Sequence, residues 1–167
     1  EDMMVALCSA PGRTEICGNH TDHQHGRVLA AAVNLDFLAC VALNGTSVVH
    51  FQSEGWPMTS VDLADLEVKE EEKETTASLI RGVLAKLHKA GYPVAGFDMY
   101  VTSTVLPGSG LSSSAACEVL IGTTGNHLFC QDKFDAVEIA KIGQAAENEY
   151  FGKPCGLMDQ TASSVGD

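Results

Sequence analysis

Positive charge is scarce in this sequence: 10 Lys and Arg stand against 22 Asp and Glu, a formal net charge of −12. A nucleic-acid or anionic-membrane surface needs clustered Lys and Arg, so this balance argues against both partners. No apolar run approaches the roughly 20 residues needed to span a bilayer, and no signal peptide opens the chain. The six cysteines (Cys8, Cys17, Cys40, Cys117, Cys130 and Cys155) contain no C-x-x-C pair, which argues against a zinc ribbon or a redox motif. They are also too sparse for a disulfide scaffold, so free, mostly buried thiols in a reducing cytoplasm are the plain reading. With 45% hydrophobic and only 19% charged residues the chain buries a core rather than staying disordered. Its 167 residues suit one domain on a scale of roughly 150 residues per domain. It opens on Glu1, Asp2 and Met3 and stops at Gly166 and Asp167, which reads as a piece trimmed at both ends.

The first half reads mainly as strands. Residues 3–8, 28–33, 37–43 and 47–51 are apolar runs, and the Asn44-Gly45 pair between the last two suits the positive φ of a tight hairpin. The Glu- and Lys-rich stretch 67–74 has no core former and reads as a solvated loop or helix start. From Thr75 the period changes to about 3.6, with Leu79, Val83, Leu84 and Leu87 on one face and Gly91 and Pro93 as a stop. Residues 97–101 read as a strand, and helices follow near 112–128 and 133–150, with another after Gly156. That order predicts an α+β domain, a sheet with helices packed on one face.

Three segments carry chemistry. In residues 106–116, Gly108 and Gly110 let a ligand approach the backbone. Three serines then open a helix, whose free N–H groups and positive dipole end favour an anion such as phosphate. No Lys-Ser or Lys-Thr pair closes the loop, so it is not a Walker A motif. The serine-hydrolase elbow is also missing, because Ser114 stands where its second glycine would be. The bland alternative is a Ser-capped helix after a Gly turn.

In the loop-like stretch 10–26, Arg13 offers a permanently charged fork, and Asn19, His20 and Asp22 offer partners for sugar hydroxyls. The alternatives there are a zinc site made of His20, Asp22, His23 and His25, which lacks the H-E-x-x-H pattern, or a structural polar turn. The third segment, 147–160, ends one helix with Gly152 and Pro154 and sets Asp159 in the first turn of the next. Asp159 would cap that helix, or point into a site as an acceptor or base.

Together, in this order and spacing, the three segments resemble the galactokinases of the GHMP small-molecule kinase family. The resemblance rests on the signature around residues 10–35, the phosphate loop 106–118 and the C-G-[IL]-M-D-Q segment at 155–160. It implies an N-terminal nucleotide- and sugar-binding domain over 1–167, a mixed β-sheet with helices on one face. It also implies a C-terminal domain absent from this chain, with family members running on for about as long again.

The implied reaction is phosphoryl transfer from ATP, with Mg²⁺, to the C1 hydroxyl of D-galactose. Arg13 matches the arginine that stabilises charge and Asp159 the aspartate at the C1 hydroxyl. Asn19, His20, Asp22 and Gly156 match sugar-binding positions. Gly108, Ser109, Gly110, Leu111, Ser112 and Ser113 match the ATP loop, and Ser114 and Glu147 the magnesium-facing pair. Three departures stand out. Asn19 replaces the usual glutamate before the signature histidine, His23 replaces the usual tyrosine after the aspartate, and the loop proline sits directly before Gly108. They leave a kinase for a related sugar, or a sugar or nucleotide sensor without turnover, as the alternatives. The isolated chain is expected to be nearly inactive and to expose an apolar face.

Overall fold

A computed structural model describes residues 4–166. Met3, the start of the first expected strand, lies outside the described residues. Five strands form one mixed sheet: β1 (Ala6–Cys17), β2 (Leu29–Leu43), β3 (Val48–Ser53), β4 (Thr59–Asp62) and β5 (Phe97–Ser103), in the order β1-β2-β5-β3-β4. Among the described residues only the β3–β5 pair is parallel. Side chains alternate between faces along a strand. Ala39, Val41, Val49, Phe51, Val61, Phe97, Met99 and Val101 therefore point inward together. Over that one face lie α1 (Thr76–Lys89), α2 (Ser113–Cys130), α3 (Ala136–Ala146) and α4 (Met158–Val165). The expected α+β class and one-sided helix layer are what the structure contains. The opposite face leaves Leu7, Leu38 and Tyr100 exposed.

Three expectations need correction. Residues 28–33 and 37–43 are one continuous strand, and β1 runs on through residues expected to be loop, because the two pair along most of their length. The Asn44-Gly45 turn is not a hairpin. Gly96, leading into β5, passes between its two arms, donating to the Thr46 carbonyl at 2.8 Å while its own carbonyl accepts from Asn44 at 3.3 Å. A side chain at 96 would collide with the Thr46 and Val48 backbone, so glycine lets β5 separate β2 from β3. The stretch 67–74 is not merely solvated. Glu72 takes two bonds from the buried Arg81 on α1, which also donates to the Asp62 and Asp65 carbonyls.

Two irregularities position the site. The β1–β2 ladder slips between Pro11 and Arg13, where two steps on β1 face four on β2. Such a bulge re-aims a side chain, and here it turns Arg13 inward. At the end of α3 the helix widens into a π turn over Glu147–Phe151, with the Gly152 N–H bonding back to Glu147 at 3.0 Å. Insertions of that kind recur at functional sites.

Candidate functional site

A cavity of about 440 Å³ opens where the end of β1, the glycine loop, the start of α2, the π turn and the start of α4 converge. Arg13 and Asp159 sit at its centre. Arg13 is 6% exposed and uses three of its five N–H donors here: Nε and Nη2 donate to the two Asp159 oxygens at 2.7 and 3.0 Å, and Nη1 to the Gly110 carbonyl at 2.8 Å. The planar guanidinium suits this bidentate geometry, which a lysine could not reproduce. The Arg13 backbone N–H also bonds the Leu111 carbonyl, tying β1 to the glycine loop.

Burial pushes the Asp159 carboxyl up. The bonds from Arg13 and Ser112 and the Arg13 charge outweigh it and hold the group below its ordinary value of 3.8. Asp159 therefore does not cap α4. That end belongs to Asp22, whose Oδ2 accepts from the Met158 N–H at 3.0 Å. Gly156 packs directly on Asp22, and a Cβ at 156 would overlap the Asp22 carboxylate. The turn 18–26 is thus fastened to the start of α4 by the Asp22 side chain.

Ser112 also does something other than cap. It holds a left-handed φ of 55°, no side chain caps α2, and its hydroxyl donates to Asp159 instead. The first turn of α2 therefore faces the cavity with Ser113 and Ser114 on the lining and no capping side chain over it. Glycines 108 and 110 both hold positive φ with open space beside them. An exposed helix N-terminus behind a glycine loop is suited to a phosphate.

Deeper in, the Ser114 hydroxyl donates to Glu147 Oε1 at 3.3 Å. Two hard oxygen donors on a cavity wall fit Mg²⁺, which binds through one or two protein oxygens, phosphate and water. Among the described residues no group of three or more His, Cys, Asp or Glu forms a metal cage, and His20, Asp22, His23 and His25 do not make one.

Of the residues expected at the site, all but Asn19 line this cavity. Asn19 is exposed in a left-handed turn (φ 53°), outside the lining. His20 is on the lining, its backbone N–H donating to Glu15 Oε1 at 2.8 Å. Sequence reasoning missed Lys153, Pro154 and Cys155, which follow the π turn onto the cavity wall. It also missed Glu118 and Gln160, both wholly buried behind Glu147. Glu118 was detectable as the one Asp, Glu, Lys or Arg within α2. Burial, then the Glu147 charge, push its carboxyl well above the usual range. Burial and the neighbouring Glu118 push the Cys117 thiol up to about 12, and burial with the Glu147 charge raises Cys155 as well. These thiols stay protonated and unreactive at neutral pH.

Comparison with known proteins bears on this geometry. The family described as GHMP kinases N terminal domain matches residues 78–167, and the galactokinase galactose-binding signature matches residues 2–43. A galactokinase of Clostridium tetani is 37% identical over 158 residues, 94% of this chain and 40% of that protein. A galactokinase of Bacillus subtilis is 33% identical, again over 94% of this chain and 40% of that protein. This chain thus spans about 40% of the length of the curated relatives it matches. Lactococcus lactis galactokinase complexed with galactose superposes with a TM-score of 0.89 at 30% identity, covering 98% of this chain and 42% of that one. Methanococcus jannaschii mevalonate kinase shares the fold at TM-score 0.77 and 16% identity, over 99% of this chain and 52% of that one.

Proposed function

The chain belongs to the GHMP kinase family, and from that premise we propose that its parent protein transfers the γ-phosphoryl group of ATP to the C1 hydroxyl of D-galactose. The products are galactose 1-phosphate and ADP. The observation that carries this reading is the Arg13–Asp159 pair, set between the glycine loop with the α2 N-terminus on one side and His20, Asp22 and Gly156 on the other. The first side takes the phosphates of ATP along residues 108–113, and the second takes the sugar.

Phosphoryl transfer needs positioning and charge stabilisation more than covalent chemistry from the protein. Arg13 sits where it meets the negative charge developing on the transferred group. Asp159, ionised at neutral pH, accepts the hydrogen bond of the C1 hydroxyl and orients its oxygen toward the phosphorus. Its low proton affinity suits orientation better than full proton abstraction early in the reaction. Ser114 and Glu147 would hold Mg²⁺, which would supply neutralising charge to the nucleotide phosphates. Asn19 stands outside the lining, so discrimination at the sugar end falls to His20, Asp22 and the backbone around Gly156.

This chain supplies the N-terminal domain, and a C-terminal domain of the same parent closes the site from the other side. The exposed apolar sheet face is in keeping with a missing neighbour. Six free thiols favour a reducing compartment, the cytoplasm. No described helix is long and apolar enough to cross a membrane. The test is ADP release by the parent protein with galactose, with other hexoses and with no sugar. Galactose-dependent release supports the assignment. Release with another hexose alone reassigns the sugar, and tight binding of galactose and ATP without release makes the protein a sensor.

A further inference from the structure

Behind the cavity wall, side chains from three helical segments meet away from water: Glu118 on α2, Glu147 at the opening of the π turn and Gln160 on α4. Gln160 and Glu118 are 0% exposed and Glu147 3%. A single nitrogen joins them. Gln160 Nε2 donates to Glu118 Oε2 at 2.9 Å and to Glu147 Oε2 at 2.8 Å, one amide hydrogen for each carboxyl, with Cys155 Sγ a longer contact at 3.7 Å. The other Glu147 oxygen faces forward and accepts from Ser114, on the cavity lining. Glu147 is therefore gripped from behind by one oxygen while the other is presented. On the far side of the grip, Glu118 Oε1 and Gln160 Oε1 are both buried without a partner.

We propose that Gln160 is a positioning residue: its carboxamide clamps Glu147 to Glu118 so that Glu147 Oε1 and Ser114 Oγ are offered together to a divalent cation on the nucleotide phosphates. The inference rests on the phosphoryl-transfer reading above. A free glutamate side chain must freeze several torsions when it takes up a cation, and a side chain fixed beforehand does not. The clamp needs a neutral group with two donors, because it bridges two carboxyl groups that would otherwise face each other unscreened. Glutamine supplies both hydrogens from one nitrogen. Its position beside Asp159 on α4 gives one helix two tasks: Asp159 meets Arg13 at the reacting centre, and Gln160 braces the cation-facing carboxylate behind it. A residue that orients a metal-facing group acts on metal affinity without touching the metal.

The experiment is a Mn²⁺ titration followed by electron paramagnetic resonance, on the parent protein saturated with a non-hydrolysable ATP analogue. Thermal midpoint and metal-free nucleotide affinity are measured on the same preparations. Gln160→Met keeps the volume and removes both donors; the clamp predicts Mn²⁺ affinity about tenfold to a hundredfold weaker with metal-free nucleotide affinity unchanged. Glu118→Gln keeps an oxygen that accepts from Gln160 Nε2, so Mn²⁺ affinity stays within about twofold of wild type. Wild-type Mn²⁺ affinity in a folded Gln160→Met protein overturns the clamp alone. So does a Glu118→Gln loss as large as that of Gln160→Met. Failure of the wild-type parent to bind Mn²⁺ with nucleotide overturns both the clamp and the phosphoryl-transfer reading. Should Gln160→Met not fold, the Gln160 side-chain amide protons of the wild type carry the test by NMR. Protection of both from solvent exchange supports the clamp, and exchange at the rate of a free amide overturns it.

Discussion

Asp159→Asn separates a structural brace from a reacting group, and the geometry gives both sizes. Asparagine keeps one oxygen for Arg13 Nε but turns an N–H₂ toward Nη2 and Ser112, and it removes the counter-charge of a guanidinium that is 6% exposed. Stripping one partner from a fully buried pair costs about 3–5 kcal/mol, and with the Asp159 side chain 26% exposed we expect about 2–4 kcal/mol. In the parent protein that loss is read as a lowered midpoint of denaturant unfolding at unchanged slope.

Single-turnover phosphoryl transfer by the parent should fall by at least about a hundredfold, since the amide neither carries the charge nor accepts the hydroxyl proton. ATP affinity should fall far less than the rate, because the glycine loop and the α2 backbone N–H groups stay in place and only the Ser112 hydroxyl loses its carboxylate acceptor. The pH dependence has a definite sign. A carboxyl lowered in the folded state stabilises above its unfolded value and loses that contribution as pH falls through the lowered one. The stability gap between wild type and Asp159→Asn should therefore be full at pH 7 and should close only below the ordinary value of 3.8. All three quantities are measured on one preparation of each protein. A lowered midpoint with an unchanged rate would reduce Asp159 to a brace, and an unchanged midpoint would refute the pair as drawn.

Three further outcomes follow from the same geometry. Arg13→Lys keeps the charge and loses the fork, so kcat should drop far more than KM for galactose rises; equal kcat with a raised KM would mean that Arg13 only binds. Gly156→Ala drives a methyl into the Asp22 carboxylate. It should raise KM for galactose and cost about 1–3 kcal/mol in denaturant unfolding, and a neutral effect on both would unfasten the turn from α4. Glu72→Gln leaves the buried Arg81 without its counter-charge and should cost about 3 kcal/mol at pH 7. The hydrogen bond and charge of Arg81 hold the Glu72 carboxyl below its ordinary 4.5, so that loss should vanish as acidification protonates Glu72 in the wild type as well.

Local signals were the legible ones. The 3.6-residue spacing of Leu79, Val83, Leu84 and Leu87 marks α1, and the glycines and serines of 106–116 mark the anion loop. Strand order was not legible, because it depends on Gly96 passing between Asn44 and Thr46 and close against the Val48 backbone, a contact with no trace in the Asn44-Gly45 turn chemistry. Asp159 reads as either a cap or a reacting group until Asp22, 136 residues before Met158, is found on the Met158 N–H. The Glu118–Gln160–Glu147 contact joins three helical segments and has no pairwise spacing to reveal it. The one hint is a lone carboxylate in an otherwise uncharged helix.

The identity of the product is the most direct test of C1 phosphoryl transfer by the parent protein. The parent protein, given ATP, Mg²⁺ and galactose labelled with ¹³C at C1, is followed by ³¹P and ¹³C NMR until ADP accumulates. The expected product is a single phosphorylated sugar whose labelled carbon couples to phosphorus and shows one anomer only, because an ester at C1 blocks ring opening. Inorganic phosphate as the only product, an ester on another hydroxyl, or no turnover from a folded protein that binds both substrates would contradict it.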